Sequence, residues 1–99
     1  MALHGGYSEL KQDLQVIDEN INLLEKQYTE FFDGIIYLEP KALRARTDAL
    51  VRKWWGKPIA NTQLQFKVKN IVQRYNAYKE KWNRQLRIKI RNDKEDVLE

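Results

Sequence analysis

The 99-residue chain has no cysteine, one histidine, two prolines and four glycines. Without cysteine there is no disulfide frame, no thiolate metal site and no thiol redox chemistry. The single histidine, His4, lies beside Gly5-Gly6 and outside every patterned segment, so a nucleophile–histidine pair in a rigid pocket is not on offer. The Glu-x-x-His pairs that hold di-metal centres in helical bundles are missing, as is any Gly-x-Gly phosphate loop. Asp18-Glu19 is the nearest approach to paired carboxylates, and adjacent helical residues face different ways. These gaps set the expectation of a non-catalytic protein that needs no cofactor and no metal. No run approaches the roughly 20 apolar residues that cross a bilayer. Met1–Gly6 lacks the basic and apolar regions of a signal peptide. A cytoplasmic location is therefore expected. Residues 1–7 are expected as a flexible lead-in. Residues 92–99 are expected as a flexible tail, in part vector-derived because Leu98-Glu99 looks like a cloning-site trace.

What is present is helical patterning between sparse breaks. Helices are expected at about 8–33, 40–55 and 61–91. In the first, Tyr7, Leu10, Leu14, Ile17, Ile21, Leu24, Tyr28 and Phe31 follow steps of three and four, a heptad seam. Ser8 suits the N-cap, and Gly34 suits the left-handed stop. In the second, Pro40 suits the first helical position, and Leu43, Thr47, Leu50 and Trp54 form a short stripe. In the third, Leu64, Val68, Ile71, Tyr75, Tyr78 and Trp82 form a second seam, which drifts towards Leu86 and Ile90. Thr62 with Gln65 reads as a capping box, with Asn61 competing. The apolar run Ile35-Ile36-Tyr37-Leu38 reads as a buried connector, since a lone strand has no partner.

Charge divides the chain. Residues 7–33 carry seven acidic and two basic side chains; residues 41–94 carry sixteen basic and three acidic ones. An acidic first helix and a basic third one invite pairing. The expected fold is all-α: an antiparallel hairpin of two long coiled-coil helices with a short middle helix. Aligning the seams antiparallel sets Leu24 against Tyr75, Ile17 against Trp82 and Asp18 near Lys79. A monomer or weak homodimer follows, because seven acids on the first helix oppose a parallel self-pair.

The aromatics of the third helix sit on its seam and read as core. That leaves Arg44, Arg46, Lys53, Trp55, Arg84, Arg87 and Arg91 as the candidate interaction surface, since Arg and Trp are residue types that anchor interfaces. A protein partner and a scaffolding role are the leading expectation. Sequence-independent nucleic-acid binding through the basic face is the alternative, although no helix-turn-helix or RNA-binding signature is present. Lys53-Trp54-Trp55-Gly56-Lys57 has the aromatic-and-lysine composition of lipid interfaces, but packing of Trp54 in a bend is the simpler reading, so membrane binding is not expected.

The residues Tyr28-x-x-Phe31-Phe32-x-Gly34, Pro40, Phe66, Arg74-Tyr75 and Trp82-x-Arg84-x-Leu86-Arg87 resemble an uncharacterised helical-hairpin family known mainly from delta-proteobacteria. Its members often form the C-terminal part of longer proteins, some with sensor-like upstream regions. The resemblance covers about residues 8–88. It implies a two-helix core and a signalling or assembly context, and it brings no activity, cofactor or ligand site.

Overall fold

A computed structural model describes the backbone of residues 2–98 and the side chains of residues 7–94. It contains three helices: α1, Ala2–Phe32; α2, Lys41–Trp54; and α3, Thr62–Leu98. There is no strand among the described residues. The all-α class and the three-helix count stand as expected.

Each helix boundary has a local cause. At the end of α1, the amide of Ile35 donates to the carbonyl of Glu30 at 2.8 Å and that of Gly34 to Phe31 at 3.1 Å. This is a Schellman stop, and it needs the left-handed Gly34, whose φ is 78°. Pro40 precedes α2 as its N-cap rather than occupying the first helical position; its carbonyl accepts the Arg44 amide at 3.1 Å. After α2, Trp55 (φ −66°, ψ 125°) and Gly56 (φ 82°) make a type II turn closed by the Lys57 amide on the Trp54 carbonyl at 3.3 Å. Asn61 caps α3, its Oδ1 accepting from the Leu64 amide at 3.0 Å, so it displaces the expected Thr62–Gln65 box.

The outer boundaries differ from expectation. α1 runs through Ser8 to Ala2, and α3 runs on from Arg91 to Leu98. Gly5 and Gly6 each cost a helix about 1 kcal/mol relative to Ala. Tyr7, half-buried on the core, is the first side chain described that holds this turn. Met1 and Glu99, the last residue of the expected vector-derived end, lie outside the described residues.

The directions of the helices follow from which residues meet. Asp13 of α1 meets Lys53 and Trp54 of α2, while Tyr28 meets Glu39 and Arg44. α1 and α2 are therefore antiparallel and form the hairpin. Between α1 and α3, Arg74 holds Asp18 and Lys81 holds Glu25; residue numbers rise together, with an offset of 56 in both pairs. α1 and α3 thus run parallel, in an up-down-up bundle about 64 Å long. This corrects the expected antiparallel pairing of the two long helices and its register. A seam of apolar residues reads the same in either direction. Direction is set by the middle segment: the 14 residues of α2 carry the chain back by about 21 Å, and α3 must then start beside the beginning of α1.

The core runs along the shared axis. Leu10, Leu14, Ile17, Ile21, Leu24 and Tyr28 come from α1, Thr47, Val51 and Trp54 from α2, and Leu64, Val68, Val72, Tyr75 and Trp82 from α3. Because α3 touches two neighbours, its buried stripe is wider than a heptad seam. Val72 is buried, and Ile71 and Tyr78 are half-buried beside it. The hydroxyl of the fully buried Thr47 is satisfied by the Leu43 carbonyl at 2.8 Å.

The connector departs from expectation. Ile35, Tyr37 and Leu38 are 68%, 95% and 82% exposed. The Schellman stop throws the chain outward at Gly34, and α2 then begins beside Tyr28, below the end of α1. No element among the described residues lies over Ile35, Tyr37 and Leu38 to cover them.

Candidate interaction surface

The polar residues between the helices are consumed by one another. Glu25 accepts from the Trp82 indole at 2.7 Å and from Lys81. The Trp82 ring lies stacked on Tyr28, centroids 4.6 Å apart and planes 17° from parallel. The Tyr28 hydroxyl donates to Glu39 at 2.7 Å and accepts from Arg44 at 3.0 Å. The same guanidinium donates to Asn83 at 2.6 Å and stands near the Tyr28 and Trp82 rings. All three helices are tied here. Burial pushes the Tyr28 phenol up to about 12, with the neighbouring Arg44 pulling against it.

A second knot joins α1 to the end of α2. Asp13 Oδ2 accepts from Lys53 at 2.8 Å and from the Trp54 indole at 2.7 Å, and Lys53 also reaches Glu9 at 2.5 Å. A third joins α2 to α3, where Asp48 accepts from Lys79 at 2.8 Å and pairs with Arg52 at 2.9 Å. Burial pushes both carboxyls up, but hydrogen bonds from Lys53 and Trp54 and the charge of Lys53 hold Asp13 below the usual carboxylate range, and the hydrogen bond and charge of Lys79, with the charge of Arg52, do so for Asp48. The hydrogen bonds to Asp13 and Glu9 hold Lys53 above its usual value.

A group whose folded pKa is depressed stabilises the fold above its unfolded pKa, about 3.9 for Asp, and loses that contribution as pH falls through its folded value. The denaturation midpoint is therefore expected to fall on acidification below about pH 5. Asp13→Asn is expected to be less stable than the parent at neutral pH and to have a flatter acid limb, so that the two curves converge at low pH. Urea titrations monitored by tryptophan fluorescence would measure this. Parallel curves would remove Asp13 from the acid transition.

These contacts sort the expected surface residues. Arg44 and Lys53 are internal ties, which corrects their place on an interaction surface. Arg46 is exposed midway along α2, and Trp55 is 60% exposed in the turn after it. Arg84, Arg87 and Arg91 are exposed, and their spacing of three and four sets them on one face of α3. Trp55 lies near the end of the bundle marked by Glu9 and Asp13, and the arginines lie towards the other end. Only those three of the seven are brought together.

The sequence reading missed the apolar residues at the arginines' end. With an offset of 56, Ile88 is level with Phe32, where α1 stops. Ile88 and Ile90 are 45% and 54% exposed, and Ile35, Tyr37 and Leu38 lie on the adjoining connector. A shallow groove between the end of α1 and α3 is lined by Phe32, Gln85, Ile88, Lys89, Asn92 and Asp93, and the connector lines a separate one with Gln27. The apolar run 35–38 was the available signal.

Among the described residues no group of three or more His, Asp or Glu side chains could hold a metal ion, and no buried side-chain polar atom lacks a partner. No helix of the described residues is long and apolar enough to cross a membrane. Comparison with protein-family models, curated proteins and solved structures finds no match.

Proposed function

We propose that this chain is a non-catalytic protein–protein interaction or scaffolding module of the cytoplasm, working through the end of the bundle where α3 outruns α1. The carrying observation is where exposed apolar side chains fall. Among the described residues nine large hydrophobics are substantially exposed, and five of them (Ile35, Tyr37, Leu38, Ile88 and Ile90) fall towards this end. Scattered exposed hydrophobics are ordinary, whereas a group of them beside arginines is the composition of a contact surface. The resemblance to a family of signalling or assembly context agrees with this reading.

Nucleic-acid binding through Arg84, Arg87 and Arg91 is the second reading, favoured by the absence of any carboxylate within 4.0 Å of Arg84 or Arg87 among the described residues. Against it, Tyr75 and Trp82 are fully buried and offer no stacking platform. Arg74, Lys79 and Lys81 answer carboxylates of the fold.

A photoreactive residue placed at Leu38 or Ile88, compared with one at Lys26 on the outer face of α1, tests both in the native host. Protein adducts at 38 and 88, absent at 26, are expected. Nucleic-acid adducts at 88, or equal capture at all three positions, would overturn the interaction reading.

A further inference from the structure

We infer that a groove lined by α1 and α3 alone, towards the end of the bundle marked by Glu9 and Asp13, is a binding site for a small amphiphilic carboxylate. The inference goes beyond the interaction reading and does not depend on it.

Three observations carry it. The first is a ladder of rungs between the two parallel helices. Residues seven apart recur on one face of packed helices. Positions 11, 18 and 25 of α1 stand level with positions 67, 74 and 81 of α3, at the offset of 56 that both inter-helix ties share. At the second rung Arg74 holds Asp18, and at the third Lys81 holds Glu25. At the first rung both residues are lysines, Lys11 and Lys67, and both line the groove. The base is in place there and the carboxylate is missing.

The second is that neither lysine finds a carboxylate elsewhere. No Asp or Glu stands three or four residues from Lys11 or Lys67 along its own helix. Among the described residues no carboxylate lies within 4.0 Å of either. Like charges at one level repel, and an anion between them relieves the repulsion.

The third is the floor and the shape. Leu14, Leu64 and Ile71 line a groove of about 530 Å³, and no acidic residue lines it. Small-ligand sites run on the order of 300–1,000 Å³. Arg74, reaching across to Asp18 and Asn22, closes one end. From Leu64 to Arg74 the wall of α3 is about 15 Å long. A blind groove of this length takes a small molecule and stops a long helix. The apolar body lies on the three aliphatic side chains. The carboxylate takes the place between Lys11 and Lys67 that Asp18 and Glu25 take at the other rungs. Exposed ion pairs contribute little, so the body supplies most of the affinity and the lysines select the charged head.

The probe is decanoate, titrated below its micellar concentration into the nitrogen-15-labelled chain and followed by amide chemical shifts. Saturable shifts are expected over residues 11–15 and 64–74. Decanol and decyltrimethylammonium share the body without the anion and should bind at least tenfold more weakly. Lys11→Glu supplies the missing acid within the chain. It should weaken decanoate at least tenfold and leave the thermal midpoint at or above the parent's, because it completes the rung with Lys67. Lys67→Glu should do the same with Lys11. Lys69→Glu, exposed on α3 outside the groove, makes the same change in net charge and should leave binding within twofold. Shifts that do not saturate, decanol binding as tightly as decanoate, or an equal loss in Lys69→Glu would overturn the site. So would midpoints for Lys11→Glu and Lys67→Glu well below the parent's, since the rungs would then not be equivalent. Adducts at 38 and 88 bear only on the interaction reading, so the two can fail separately.

Discussion

Replacing Trp82 by alanine is expected to destabilise the fold by about 3–5 kcal/mol, the range for removing a fully buried aromatic side chain. The indole is completely buried. It is stacked between Tyr28, at 4.6 Å, and Tyr78, at 5.7 Å, and its N–H is held by Glu25. Its loss opens a cavity where α1 and α3 meet and leaves Glu25 with Lys81 alone. A domain of this size has a total stability of about 5–15 kcal/mol, so the variant should lose a large share of it and be partly unfolded in mild urea. Trp82→Phe keeps a ring in the stack and loses chiefly one hydrogen bond to a charged acceptor, a cost of about 1.5–3 kcal/mol. Urea denaturation followed by circular dichroism would give both values. Equal losses would mean that the stack, more than the indole N–H, is dispensable.

Arg44→Met is expected to cost about 2–3 kcal/mol, the cost of stranding polar partners that were bonded to a charged group. The guanidinium reaches two acceptors on different helices, the Tyr28 hydroxyl on α1 and Asn83 Oδ1 on α3. Methionine fills similar space and supplies neither donor. Arg44→Lys should recover little, because a single ammonium cannot span two acceptors that a planar fork reaches together. The same substitution should leave adduct formation at position 38 unchanged once the protein is folded. A variant with parental stability and impaired adduct formation would return Arg44 to the surface.

The sequence carried the helices and most of the core. Steps of three and four mark Leu10 through Tyr28, and likewise Leu64, Val68, Tyr75 and Trp82, as core, and all of these are buried. Gly34 was legible as a stop because a left-handed residue has few occupants other than glycine. Direction was not legible. Asp18 was matched to Lys79 when Arg74 holds it, since acidic and basic helices attract in either orientation and both seams tolerate reversal. Surface assignment failed where side chains found partners far away in sequence. Lys53 lies 40 residues from Asp13, and nothing local to Lys53 marks that tie. The connector failed for the opposite reason: its apolar run read as buried, but burial needs a covering element, and none among the described residues lies over Ile35, Tyr37 and Leu38.

The parallel course of α1 and α3 also bears on how the chain folds. Their ties close sequence separations of 56 residues, whereas the Tyr28–Glu39 bond between α1 and the start of α2 closes 11. Each doubling of a closed loop adds about 0.6 kcal/mol of lost chain entropy, so α3 docks at roughly twice that extra cost unless α1 and α2 have already joined. Long-range contacts slow folding in general. The up-down-up arrangement thus gives the small all-helical chain a folding order: α1 and α2 assemble first as a local nucleus, and α3 is recruited onto the groove they present.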